Sequence, residues 1–225
     1  IGNLLPIEKV SKLCTKYNAL FHCDTVQTIA HLPIDVKKNP LDFLVCSAHK
    51  FHGPKGVGFL YVNSNINITP LIHGGSQEKN MRGGTEYVYG IVGLSTAMDI
   101  AFSKMSLHHV HILKLKEHMI KSLKNSIPKI SFNGLSSDIS KSLYTVLSVS
   151  IPKFKNSDLL LLNLDLFGIA CSGGSACSSG SSKLSHVILE INKKNDNVVV
   201  RFSFCKYNTI EEIDYVVEKL RYLID

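Results

Sequence analysis

Two short polar strings interrupt apolar runs in the first quarter of the chain. Asp24-x-x-Gln27 follows the run Ala19–Cys23, and Ser47-x-His49-Lys50 begins on the last residue of Phe43–Ser47. Singly, each has an ordinary explanation: an Asp at a strand end caps a helix, and a Lys is a solvated surface group. Together they suit one demanding chemistry. A pyridoxal phosphate site needs a Lys for the Schiff base, an acid beside the pyridine nitrogen, and donors around the phosphate. The acid keeps the ring nitrogen protonated, so the ring can take up the electrons of a carbanion at a substrate's α-carbon.

The elements that must position these residues can be read from the hydrophobic pattern. Pro6 opens a helical stripe of Ile7, Val10, Leu13, Cys14 and Tyr17 that stops near Asn18. Ala19–Cys23, Phe43–Ser47 and Gly56–Val62 read as buried strands, the first two ending in Asp24 and in Ala48-His49-Lys50. Helix and strand in alternation predict an α/β layer, with ligand groups gathered beyond the carboxyl ends of strands. His73–Glu86 is a Gly-rich loop, followed by a helical stretch to about Ser106 and a helix from His109 to about Ile127. Tyr144–Ile151 alternates as a strand, Asn156-Ser157-Asp158 offers a cap to a leucine-rich helix, and Cys171–Ser182 is a Gly/Ser-rich loop. Val198–Phe204 reads as a strand. Thr209 with Glu212 predicts a capping box for a last helix with Ile213, Val216, Val217, Leu220 and Leu223 on its apolar side. A domain boundary is expected near His108, between an α/β layer and a smaller α+β domain.

Composition narrows the class. A chain of 225 residues with 44% hydrophobic content can bury a real core. Its apolar runs are too short for a membrane span, and no basic-then-apolar leader opens it, so a cytoplasmic protein is expected. The six Cys include no CxxC pair, which predicts no metal site and a reducing compartment with mostly buried thiols. The net charge is +7, and the stretch from Lys104 to Lys155 carries nine Lys against Glu117 and Asp138. With no Arg and only three aromatics in it, that stretch lacks the make-up of a base-reading surface and predicts a solvated lysine face and no nucleic-acid partner.

CDTVQT, SAHKFHGPKGVGFLYV, HGGSQEKNMRGGT, SGGSACSSGS and VRFSF, in that order, resemble the cysteine desulfurases of the NifS/IscS type. These belong to the class V aminotransferase-like pyridoxal phosphate enzymes. The SxHK-x-x-GPKG-x-G string is specific to the superfamily, and the GSAC loop followed by RFS is specific to the desulfurase branch. The resemblance implies a fold-type-I transferase, with the C-terminal part of its large cofactor-binding α/β domain in 1–107. The small α+β C-terminal domain would be 108–225, with a mobile cysteine loop at 171–182.

Roles follow residue by residue from that resemblance. Lys50 would form the Schiff base and later move the Cα proton. Asp24 would pair with the pyridine nitrogen, Gln27 would bond the ring hydroxyl, and Ser47 and His49 would hold the phosphate. Thr85 would reach the phosphate of a neighbouring subunit across a homodimer. Arg201 would grip the substrate carboxylate with two prongs. Cys177 would be the nucleophile that takes sulfur from L-cysteine as a persulfide and releases alanine, its thiolate being the reactive form. A sulfur-acceptor protein would then receive it for iron–sulfur clusters or tRNA thiolation. A selenocysteine lyase or related carbon–sulfur lyase on the same scaffold is the alternative, and a non-catalytic dimerisation or scaffold module with a basic docking face is a third.

Several features stand apart from the pattern. Val26 and Thr28 replace smaller or differently polar residues, and Cys171 adds a thiol ahead of Cys177 that is expected to be incidental. His108, His109 and His111 are expected to form a solvent-exposed cluster rather than a metal site, because neighbouring helix positions point apart. Family members run to nearly twice this length, and Ile1-Gly2 matches a point deep inside the large domain. A companion chain or N-terminal segment is therefore expected to supply the rest of the cofactor site.

Overall fold

The structure, a computed structural model, describes residues 1–173, 185–191 and 197–225. They fall into two units, one of Pro6–Met105 and the other of Ile1–Leu5 with Ser106–Asp225.

In the first unit, helix α1 (Ile7–Lys16) ends where Tyr17 and Ala19 donate back to the carbonyls of Leu13 and Cys14 and Asn18 turns left-handed at φ 51°. Strand β1 (His22–Asp24) is parallel to β2 (Phe43–Ser47), which is antiparallel to β3 (Gly58–Val62). β1 is shorter than the run Ala19–Cys23 suggests, and it is displaced toward Asp24. Just ahead of β1, the Phe21 carbonyl accepts the Phe43 N–H at 3.1 Å, while the Phe21 N–H goes to Asp42 Oδ2 at 2.7 Å. Cys23 and Leu44 on the sheet join Phe21, Ile29, Leu41 and Phe51 in the buried core, and Val10 of α1 packs against it. Helix α2 (Val88–Ser103) covers the same core with Leu94, Ala97, Met98 and Ala101.

The second unit is built on α3 (Met105–Ser126), which begins four residues earlier than the stripe from His109 predicts, after a break of one residue at Lys104. Its sheet runs β4 (Ser131–Phe132), β5 (Val146–Ile151) and β6 (Val198–Ser203), all antiparallel. β5 alternates as expected, but both of its faces are buried. Leu147, Val149 and Ile151 face the core, while Ser148 Oγ and Ser150 Oγ accept from the side-chain amides of Asn133 and Asn197. A buried hydroxyl with a partner avoids the desolvation cost that would otherwise exclude it.

Helix α4 (Leu160–Leu166) follows a single 3-10 turn at Ser157–Leu159, and α5 spans His186–Ile191. The Asn156-Ser157-Asp158 cap is not made: Asn156 is left-handed at φ 62° and gives no side-chain capping bond. On α6 (Ile210–Ile224) both halves of the capping box are present. Glu212 N donates to Thr209 Oγ1 at 3.3 Å, and Thr209 N donates to Glu212 Oε2 at 3.1 Å.

Two groups expected to be solvated are not. Lys116, counted in the solvated lysine face, is 0% exposed, and its amine donates to Ser142 Oγ at 2.7 Å and to the Leu143 carbonyl at 2.9 Å. The histidines do not form an exposed cluster either. His109 stacks edge-on with buried Tyr144 at 4.6 Å, and His111 Nε2 donates to the Asn208 carbonyl at 3.0 Å. No described helix is long and apolar enough to cross a membrane.

Candidate functional site

Parallel pairing of β1 with β2 puts Asp24 opposite Val45, so both strands end on one edge of the sheet. Buried Thr25 locks that edge, its hydroxyl donating to the Val45 carbonyl at 2.7 Å. Asp24 stays exposed, and one carboxylate oxygen accepts the Val26 N–H at 3.0 Å. Gln27 is exposed in the turn that follows.

From the end of β2 the chain enters a 3-10 turn, Ala48–Phe51. Ala48 and Phe51 are buried in the core, which leaves His49 exposed and Lys50 half-buried between them. The turn is fixed at several points. Ala48 N donates to Val57 O at 3.0 Å, Gly53 N to Ala48 O at 2.9 Å, and His31 Nε2 to the Lys50 carbonyl at 3.2 Å. Gly53 is required by this closeness, because a Cβ there would stand 2.8 Å from the Ala48 Cβ. Ser47 Oγ and His49 Nδ1 share a hydrogen bond of 2.8 Å. No salt bridge ties the Lys50 amine among the described residues.

Thr85 is exposed at the end of the Gly-rich loop. Within it, Glu78, Lys79 and Asn80 are all left-handed, and the loop is cinched where Gly83 N donates to Ile72 O at 2.9 Å. Gly74 lies against Gly83 so closely that a Cβ on Gly83 would sit 2.7 Å from the Gly74 Cα. Gly84, at φ 115°, donates its N–H to Gln77 Oε1 at 3.2 Å. Gln77 has no counterpart in the sequence reading, where only its place in a Gly-rich string was visible.

In the second unit, Arg201 sits on β6 opposite Ser148. On its other side it forms a bridge with Ser172: Arg201 N donates to Ser172 O at 2.6 Å, and Ser172 N to Arg201 O at 3.2 Å. The Arg201 Nε is buried with no hydrogen-bond partner among the described residues. A buried guanidinium nitrogen left unsatisfied is costly, and an incoming carboxylate would remove the cost. Next to Ser172, Cys171 is half-buried, and burial, aided by the Asp165 carboxylate, pushes its thiol up to about 11. Cys177 lies outside the described residues.

The donor set along the first sheet's edge fits pyridoxal phosphate chemically. It offers a carboxylate for a ring N–H, an amine for a carbonyl, and hydroxyl and imidazole groups for a phosphate.

Comparison with known proteins gives the chain its relatives. The chain matches the family model Aminotransferase class-V over residues 1–216. It is 41% identical over 226 residues to "Cysteine desulfurase IscS" of Clostridium botulinum (strain Hall), covering 100% of this chain and 56% of that protein. A protein of the same name from Dictyoglomus turgidum is 39% identical over 227 residues, covering 100% of this chain and 57% of its own length. The chain thus spans little more than half the length of these curated relatives. Among solved structures, a NifS-like protein from Rickettsia africae superposes with a TM-score of 0.85 at 32% identity, over 99% of this chain and 58% of that one.

Proposed function

The chain belongs to the class V aminotransferase family, and from that membership we propose that it is part of a pyridoxal phosphate-dependent cysteine desulfurase. The reaction would convert L-cysteine to L-alanine and leave the sulfur as a persulfide on Cys177. The observation that carries the reading is the gathering of Asp24, Ser47, His49 and Lys50 at one edge of the β1–β2 pair.

When bound, pyridoxal phosphate supplies an electron sink for charge that develops at the substrate's α-carbon. Lys50 would bind its carbonyl and then carry the α-proton. Asp24 would hold a proton on the ring nitrogen, an opposite charge at close range favouring the protonated ring. Gln27 would bond the ring hydroxyl, while Ser47 and His49 would donate to the phosphate. Arg201, its Nε without a hydrogen-bond partner among the described residues, would fix the substrate carboxylate. The Cys177 thiolate would attack the substrate's sulfur, and the carbon–sulfur electron pair would stay with carbon as alanine forms.

In this reading the large cofactor-binding domain lies within 1–107 and the small one is 108–225, with Ile1–Leu5 packed on the second unit. The protein would work in the cytoplasm as a homodimer, with Thr85 donating to the phosphate in the neighbouring subunit's site. Exposed apolar side chains flanking the Gly-rich loop in sequence, Leu71 at 91% and Tyr89 at 87%, suit burial against further polypeptide. That polypeptide would be the second copy and the companion chain or segment that completes the fold. A sulfur-acceptor protein would take the persulfide onward.

The test is borohydride reduction of the intact protein loaded with pyridoxal phosphate, followed by peptide mass mapping. A pyridoxyl adduct on Lys50, with alanine release from cysteine and an added sulfur on Cys177, is the expected result. An adduct elsewhere, or none, would end the reading. Alanine from selenocysteine but not from cysteine would reassign it to the lyase.

A further inference from the structure

Across residues 71–86 every residue is exposed except Gln77, which is half-buried, and Gly83, which is buried. The amide oxygen of Gln77 accepts the N–H of Gly84 at 3.2 Å. Gly84 is the residue just before Thr85, and at φ 115° it occupies a conformation that only glycine adopts readily. A glycine held by nothing would sample many conformations and swing the next residue with it. Arg82 steadies the same point from the other side, its Nη1 donating to the Gly83 carbonyl at 2.8 Å.

We infer that Gln77 is a positioning residue: its amide pins Gly84 and so aims the Thr85 hydroxyl at the phosphate it is assigned to bind. The inference rests on the cofactor reading above and extends it to a residue that touches neither cofactor nor substrate. Gly75 belongs to the same device. A Cβ on Gly75 would come within 2.6 Å of Gln77 Oε1 and 3.0 Å of its Nε2, so the glycine keeps open the space in which the amide lies.

The experiment titrates the apo form of the intact protein with pyridoxal phosphate and records its thermal midpoint without cofactor. Gln77→Met keeps the length of the side chain but has no oxygen for Gly84, and should weaken cofactor affinity about tenfold, the scale of freeing one backbone residue. Gln77→Glu retains an acceptor and should bind close to wild type, a rescue that mere loop packing would not discriminate. Gly75→Ala leaves Gln77 in place but displaces its amide, and should match Gln77→Met. Because Gln77 acts through Thr85, adding Gln77→Met to Thr85→Ala should cause no further loss.

Wild-type affinity in Gln77→Met, or full additivity with Thr85→Ala, overturns the inference. If Gln77→Met does not fold, wild-type affinity in Gly75→Ala overturns it equally. Failure of the wild-type protein to bind pyridoxal phosphate, or wild-type affinity in Thr85→Ala, sinks the underlying reading and this inference with it.

Discussion

Lys116 makes the stability of the second unit depend on pH in a direction that can be worked out. Its side chain is fully buried in α3, and burial lowers the amine from the ordinary 10.5 to about 8, with the Asp138 carboxylate opposing the change. Below pH 8 the amine is protonated in both folded and unfolded chains. Between about 8 and 10.5 the unfolded chain keeps the proton and the folded one releases it, so stability rises with pH through that window. At about 1.4 kcal/mol per pH unit the full displacement corresponds to about 3 kcal/mol, of which about 2 kcal/mol develops between pH 7.5 and 10. Many other groups titrate there, so the quantity to follow is the difference from Lys116→Met. Methionine fills the site without a charge and leaves Ser142 Oγ its bond to the Asp138 carbonyl at 2.7 Å. The chain has no Trp, so urea unfolding is best followed by far-UV circular dichroism. Wild type should gain about 2 kcal/mol on Lys116→Met from pH 7.5 to 10. Parallel stability curves, within about 0.5 kcal/mol, would refute the argument.

Three further outcomes are expected. Gly53→Ala, whose new Cβ would lie 2.8 Å from the Ala48 Cβ and 3.0 Å from its carbonyl oxygen, should shift the turn that carries Lys50. It should cost about 1–3 kcal/mol in urea melts and lower pyridoxal phosphate affinity, and unchanged affinity would show that the turn absorbs the methyl group. Thr209→Ala removes the capping box of α6 and should lower unfolding stability by about 1 kcal/mol, a loss read from the urea midpoint at constant slope. Cys171, with its thiol held at about 11, should react with iodoacetamide at pH 8 roughly a hundredfold more slowly than an ordinary free thiol. Rapid labelling in a peptide map would contradict that.

The strand ends that carry Asp24, Ser47, His49 and Lys50 were legible because an apolar run that stops at a polar residue is a local signal. Other features needed information that no local window contains. Lys116 follows Ile112 by four positions and precedes Met119 by three, so it lies on the buried stripe of α3. The charge run hid this, and the hydroxyl of Ser142 that makes burial tolerable is 26 residues away. The Phe21 N–H, just ahead of β1, is taken by the Asp42 side chain, again a contact made across the fold. Ile1–Leu5 join the second unit through bonds such as Leu143 N to Gly2 O at 2.7 Å and Leu135 N to Asn3 Oδ1 at 2.9 Å. Nothing in the first five residues announces such partners. Gln77 is hidden for a related reason: its partner, Gly84, is seven residues on and is brought to it only by the fold of the loop.

The bridge between Ser172 and Arg201 ties two duties to one piece of backbone. The strand that presents the guanidinium is also the anchor from which the chain departs toward Cys177. With both main-chain bonds made, the backbone at Ser172 and the backbone at Arg201 are held to each other at close range. In the proposed reading, one strand would both hold the substrate carboxylate and tie down the chain at 171–173, a few residues ahead of the nucleophile.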